Sequence, residues 1–528
     1  MRRKFVAALA IAALAVAGCA GPRPSSGGSG SSLNVYLYQE PAGLFGPLAP
    51  SSGPDNQVMS FLYEGLLGVD PDYRLQPRLA ESYEVSSDAT TFTFKLRKGL
   101  RWSDGKPFTS KDVLYTYKLL ADPKSGSATA GLYTAVAGVA DFVAGRATDI
   151  AGFEAPDDDT FVIRATSPNF GLVSQIGIAY ILPAHVLSGT PSADIAKNDF
   201  FHEPKVTIGP YRFVEYRANQ YVHVTANPNY RSPAKIKDVY LKPMTSDAAT
   251  AQLGNGGIDI ASYSPTDIDT VAGFDGVSTQ EKVGAGFVRI ALNQAKDYFA
   301  DVRVRQAFLY AIDREQIVKT VLAGKADVRL SDFAKDNEPS GLDEYSYDPA
   351  KARQLLAQAG WDPNRAINLQ WVQGQRDRDA TSTIVQNQLA AVGVKVNLVN
   401  VQAAQISKSY QDKSYDMTLY GGGNYAIDSS SVIYITACAQ RFPAGGNINQ
   451  FCDPTLDDLM SRANATVDDK ERKSLYDQAA KEENKQADLM WLYSPNGLWG
   501  VRDKVKGFRA PGSQDSGFYD PASWSIAG

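Results

Sequence analysis

Polar and apolar residues alternate at 33–38 (LNVYLY) and again at 91–96 (TFTFKL), the period of two expected of half-buried strands. Gln39, Glu40, Pro41, Ala42 and Gly43 break the first of these. Further strands are expected at 160–165, 209–216 and 221–226. Helical spacing runs through 55–67 and 113–120. Thr109 or Ser110 opens the second of these, with Asp112 placed for a capping box. The second half alternates element types. Asp301 caps a helix expected to run on to Gly324. Asp348-Pro349 opens another, closed by Gly360. A strand at 367–372, a helix at 381–392 ended by Gly393, and strands at 394–399 and 415–420 follow. This order predicts an α/β lobe whose loops face a crevice at the strand ends. A helical pair at 456–463 and 470–487 comes last, and no internal repeat is evident.

The amino terminus has a different pattern. Arg2, Arg3 and Lys4 precede an unbroken apolar run of 13 residues, 5–17, and Val16-Ala17-Gly18-Cys19 follows at its end. These are the basic, apolar and processing regions of an export signal, 1–18, and the run is too short for a comfortable membrane span. The pattern resembles a bacterial lipobox, which implies diacylation of Cys19 and anchoring of the mature chain to a membrane outside the cytoplasm, in the periplasm or at the cell surface. Residues 20–32, rich in Gly, Ser and Pro, read as a flexible leash of roughly 20 Å root-mean-square reach; with Cys19 they form the segment 19–32.

Composition narrows the rest. About 500 residues remain after the leash, enough for more than one lobe. Loss of Arg2, Arg3 and Lys4 takes the formal charge from −5 to −8, and no basic stripe offers a nucleic-acid surface. Besides Cys19 the only cysteines are Cys438 and Cys452, which in an oxidising compartment and without neighbouring metal ligands are expected to form a structural disulfide. His185, His202 and His223 are the only histidines; none stands in an HExxH pattern or near a cysteine, and no G-x-S-x-G elbow occurs. Asp267 and Asp269 make a weak pair with no third ligand. No enzyme activity, metal or cofactor is expected.

Several longer runs carry a resemblance. They are residues 79–120 (LAESYEVSSDATTFTFKLRKGLRWSDGKPFTSKDVLYTYKLL), Gly209-Pro210-Tyr211-Arg212-Phe213 with Asn227-Pro228-Asn229-Tyr230, and VRQAFLYAIDREQIV at 304–318. YDPAKARQLLAQAGW at 347–361 and FCDPTLDDLM at 451–460 complete the set. In number and order they resemble the dipeptide/oligopeptide-binding proteins, the family 5 extracellular solute-binding proteins of ABC importers. The resemblance implies an α/β, two-lobed, periplasmic-binding-protein type II-like fold that closes over ligand held between its lobes, with an extra subdomain in the first. Lobe 1 would take 33–60, 206–283 and 494–528, the inserted subdomain 61–205, and lobe 2 284–493.

It also implies where ligand would lie. Peptide binders of this family take the ligand ammonium on an Asp in the loop after the strand matching 415–420. Here the loop is Gly421 to Asp428, and Tyr425 stands where that Asp would be. Either Asp428 takes over, or the ligand has no ammonium there; a turn or cap role for Asp428 is an equal alternative. Gly421, Gly423 and Ala426 fit a loose dinucleotide fingerprint, but Asn424 to Asp428 starts a helix poorly, and bare backbone at Gly423 and Asn424 suits main-chain pairing with an extended ligand. A ligand carboxylate wants an Arg fork, for which Arg376 and Arg378 are candidates, although their alternating charges also suit a solvated loop. Trp371, Tyr38 and Glu40 are further candidates, Trp371 having the spacing of a core residue. The implied function is that of a monomeric receptor that hands short peptides to a membrane permease and its ATPase. The alternatives are the same role for an oligosaccharide, an opine-like compound or a metal chelate, and a surface scaffold or sensor without a transporter.

Overall fold

The computed structural model describes residues 32–48, 53–284, 286–331, 338–372, 376–422, 429–443, 445–513 and 516–527. The export signal and leash lie outside them. Among the described residues no helix is long and apolar enough to cross a membrane.

Two large sheets organise the chain. A seven-stranded sheet runs, edge to edge, Val277–Lys282, Gly497–Arg502, Ile260–Ser262, Ser32–Leu37, Asp238–Pro243, Tyr221–Ala226 and Tyr211–Arg217. Its central strand Ser32–Leu37 is parallel to both neighbours. The alternation read at 33–38 separates two faces: Leu33, Val35 and Leu37 enter the largest core, while Tyr36 and Tyr38 join a small cluster with Ala249, Leu253 and Ile258. A six-stranded sheet runs Ala326–Val328, Leu489–Pro495, Phe287–Leu292, Met417–Gly422, Ala366–Val372 and Lys395–Val401, and has its own core. A four-stranded antiparallel sheet, Ala80–Val85, Thr91–Leu96, Thr160–Arg164 and Phe153–Asp157, sends Phe92, Phe94 and Leu96 into the same core as the seven-stranded sheet. The two large cores are separate, the first shared by a lobe and its additional subdomain, with smaller apolar clusters beside them.

The motif runs hold one another in place. Thr109 caps the helix Ser110–Ala121 in a full capping box with Asp112, whose other carboxylate oxygen accepts from Ala184 N at 3.0 Å. Asn227 Nδ2 donates to Gly209 O at 2.9 Å, and Asn229 Nδ2 reaches the carbonyls of Trp102 and Ser103. Buried Asp55 accepts backbone N–H groups from Ala42, Gly43 and Leu44, fixing the segment that follows the first strand.

Four elements depart from expectation. The helix expected at 55–67 is Gly53–Leu62, and Leu67 opens the short strand Leu67–Val69 instead. The long helix after Asp301 is two, Val302–Ala311 and Arg314–Val321. Ile312 is extended and Asp313 recaps the chain, which turns Arg314 inward to donate to the carbonyls of Arg329, Trp491, Glu344 and Tyr345. The helix expected at 381–392 begins five residues earlier, as Arg376–Ala391; Asp377 and Asp379 in its first turn suit the positive end of the helix dipole. The strand expected at 415–420 is Met417–Gly422.

The chain passes between the two sheets twice, after Lys282 and after Pro495, so the six-stranded sheet keeps its last strand two residues beyond the expected 493. The passages are stitched together. Ser494 Oγ lies within reach of the carbonyls of Gly284, at 2.8 Å, and Gly286. Gly284 N donates to Asn496 Oδ1 at 3.3 Å, and Asn496 Nδ2 donates to Glu281 Oε1 at 2.8 Å. A Cβ at Gly284 would stand 1.8 Å from Pro495 O, so only glycine fits. Cys438 and Cys452 are disulfide-bonded, as expected from their pairing in sequence.

Asp55→Ala would leave three backbone donors without their acceptor, and a loss of about 3 kcal/mol in stability is expected, read from denaturant unfolding. An unchanged midpoint would mean that water replaces the carboxylate at no cost.

Candidate ligand-binding site

The carboxyl ends of parallel strands, with the amino end of the connecting helix beside them, are where open α/β sheets form binding crevices. Strands Ala366–Val372 and Met417–Gly422 run parallel in the six-stranded sheet, and the helix Arg376–Ala391 starts four residues after the first ends. Its first turns bring Asp377, Arg378 and Thr381 to the strand ends. Tyr493 Oη shares a hydrogen bond with Thr381 Oγ1 at 3.1 Å and donates to Asp377 Oδ2 at 3.2 Å; burial raises its pKa well above the ordinary phenol value. Arg378 lies over Gly421. A Cβ there would sit 2.5 Å from Arg378 Nη2 and 2.6 Å from Phe287 O, so the glycine makes room for the guanidinium. Arg378 Nε is shielded from solvent and has no hydrogen-bond acceptor among the described residues.

The other sequence candidates separate. Trp371 is 5% exposed and packs in the core of the six-stranded sheet, its Nε1 donating to Asp379 Oδ1 at 2.7 Å. Glu40 Oε1 accepts from Tyr216 Oη at 2.5 Å and from Asn219 N at 2.8 Å, joining the end of the first strand to the Tyr211–Ala226 hairpin. Tyr38 is half-buried against the Ala249 and Leu253 cluster. Arg376 is the first residue of its helix, with its side chain outside the described set. Gly423, Asn424, Tyr425 and Asp428 also lie outside the described residues.

The sequence reading missed Arg289. It is 1% exposed in the strand Phe287–Leu292, on the sheet face opposite the core, with its guanidinium 4.5, 4.8 and 4.6 Å from the rings of Phe287, Tyr420 and Trp491. Its Nε donates to Tyr420 Oη. An arginine inside the apolar run FVRIAL was the available signal. Away from the passages between the sheets, the subdomain touches the six-stranded lobe. Phe170 N donates to Asn464 O at 2.6 Å, and the Arg472 guanidinium lies 3.6 Å from the centre of the Phe170 ring.

Residues 74–442 match the family described as bacterial extracellular solute-binding proteins, family 5. The chain belongs to this family. A Brucella melitensis protein described as an ABC transporter peptide-binding protein is 29% identical over 555 aligned residues, covering 99% of each chain. The oligopeptide-binding protein AppA of Bacillus subtilis is 25% identical, covering 99% of this chain and 98% of the relative. The AppA structure in complex with a nonapeptide matches 94% of this chain and 99% of its own, with a TM-score of 0.82 at 24% identity. The binding protein AgaA of A. tumefaciens R10, in complex with agropinic acid, matches 94% of this chain and 99% of its own at TM-score 0.78 and 23% identity. This family 5 protein therefore has the two-lobed α/β fold with an additional subdomain that its motifs implied. Its family is one of solute receptors rather than enzymes.

Trp371→Phe separates a core role from a ligand contact. It should cost about 1–2 kcal/mol of stability through the lost hydrogen bond and ring volume. Affinity for a ligand that co-purifies with the protein should stay within about threefold, by titration calorimetry. A tenfold loss of affinity without loss of stability would place the indole against ligand.

Proposed function

We propose that this family 5 protein is the lipid-anchored, extracytoplasmic receptor of an ABC importer, capturing short peptides as its lobes close and passing them to a membrane permease driven by a cytoplasmic ATPase. The observation that carries the reading is Arg378. It is a guanidinium with an uncommitted, shielded donor, set at the strand ends where the chain offers side-chain-free backbone at Gly421 and Gly422. A peptide carboxylate would satisfy it, with Arg376 as a second fork, while the glycine backbone and Asn424 pair with the ligand main chain. Asp428 would take the ammonium in place of the family's Asp, whose position Tyr425 holds in the sequence, and Tyr38 would face the ligand from the other lobe. Glu40 and Trp371 support the site indirectly, through the hairpin contact and Asp379. The two stitched passages support a hinge between 33–60, 206–283 and 494–528 on one side and 284–493 on the other, with 61–205 riding on the first. The peptide names borne by the Brucella and Bacillus relatives point the same way.

A non-peptide solute is the second reading. It is favoured by Tyr425 standing where the ammonium-binding Asp is expected, and by the agropinic acid held in AgaA on the same fold. The test is mass spectrometry of small molecules released by unfolding protein purified from an exporting host. A family of short peptides is expected; a single non-peptide mass would favour the second reading. With the released ligand as probe, Arg378→Gln and Asp428→Ala should each weaken binding by more than about 1.5 kcal/mol, roughly tenfold. Native affinity in both would remove them from the site. Cys19→Ser should abolish incorporation of labelled palmitate and release the protein from the membrane fraction. Persistent membrane attachment without label would point to another anchor.

A further inference from the structure

A cavity of about 420 Å³, within the size range of small-molecule sites, lies between the first lobe, its subdomain and the carboxyl-terminal tail. Its wall runs through 56–78, 178–180, 210, 230 and 511–521, and contains nothing from the six-stranded lobe. It is therefore separate from the crevice at Arg378, and its occupation does not require the lobes to move.

Its charged groups fall into two sets. Glu64 is saturated: Arg231 binds it through both terminal nitrogens, and Tyr230 Oη donates to it at 2.8 Å. Asp70 is saturated by the N–H groups of Asp72 and Arg74 and by Gln76 Nε2. Arg78 and Asp520 are not. The Arg78 side chain is 16% exposed, stacks at 4.6 Å on the Tyr519 ring, and donates no hydrogen bond among the described residues. Asp520 stands 4.0 Å from it, too far for a hydrogen bond, and its carboxylate accepts none. Opposite charges set side by side in a cavity wall, each with open hydrogen-bonding capacity, can receive the two charged ends of one small ligand. The backbone agrees: Asp520 and Tyr73, both lining the cavity, hold φ of 45° and 60°, left-handed conformations that cost free energy in residues other than glycine. The remaining wall is aromatic, with Tyr63, Tyr180 and Phe518, and the Tyr180 hydroxyl has no partner among the described residues.

We propose that this cavity is a second solute site, taking a free zwitterionic α-amino acid with an aromatic or large apolar side chain. Arg78 receives the carboxylate, Asp520 the ammonium, and the aromatic wall the side chain. A small molecule with a carboxylate and an ammonium on one carbon meets both open groups at once. A dianion such as phosphate would be repelled by the Asp520 carboxylate beside Arg78.

The test is titration calorimetry of the full chain with L-phenylalanine and two half-analogues, 3-phenylpropanoate without the ammonium and phenethylamine without the carboxylate. Saturable phenylalanine binding is expected, with each half-analogue weaker by about tenfold or more, one charged hydrogen-bonded contact being lost in each. Arg78→Gln and Asp520→Asn should each weaken phenylalanine binding by a similar factor, in protein shown folded by circular dichroism. The analogue series is repeated on an Arg378→Gln chain, so that the crevice cannot supply the same pattern; loss of phenylalanine binding in that chain would overturn the proposal. Absence of saturation up to about 10 mM, equal binding of phenylalanine and a half-analogue, or native affinity in both folded variants would overturn the proposal.

Discussion

Two passages of backbone join the two large sheets, and polar groups stitch one passage to the other. Each lobe has its own apolar core, so little apolar burial joins one to the other at the crossing. The junction depends instead on polar stitching at Gly284, Gly286, Ser494 and Asn496, extended by Lys325 and Glu281. Such a joint fixes where the two sheets meet. The absent side chain at Gly284 lets the two backbones touch there.

The crevice residues are positioned from below by core chemistry. Asp379, in the first turns of the helix Arg376–Ala391, accepts from the Trp371 indole and so ties the helix to the preceding strand. Tyr493, from the strand that leads into the second passage, reaches Asp377 and Thr381 on the same helix. The guanidinium of Arg378 therefore belongs to a helix end fastened to two strands, one continuous with the junction. The side chains that support the site are as polar and aromatic as those that would touch ligand, and only their contacts tell the two groups apart.

Buried cations recur as framework. Arg305 donates to the carbonyls of Phe299, Ala300 and Gln486, and Arg314 to four carbonyls at a break between helices. Burial lowers the pKa of Arg314 to about 10, which still leaves it charged at neutral pH. These arginines bind carbonyls rather than carboxylates, so each is fixed by geometry rather than by charge pairing.

Much of the architecture was legible in the chain because its determinants are local. Alternation at 33–38 and 91–96, the Thr109 capping box and Asp348-Pro349 are set by residues within a few positions of each other, and each stands where it was read. The two-lobed fold followed from the motif runs, and the pairing of Cys438 with Cys452 from composition and compartment. Less legible were the features decided by distant partners. The helix after Asp301 breaks because Arg314 finds carbonyls supplied by residues 15 to 177 positions away. Glu40 and Trp371 are candidates by residue type, but that type does not reveal the partners the fold gives them, Tyr216 and Asp379. Arg78 and Asp520 gave no signal, since 442 positions of sequence separate two groups that the fold sets side by side. The sequence by itself determined the elements, the family and the chemistry available. Which charged groups are saturated and which are left open was decided only by tertiary structure, because hydrogen-bond completion depends on neighbours that folding, not chain order, supplies.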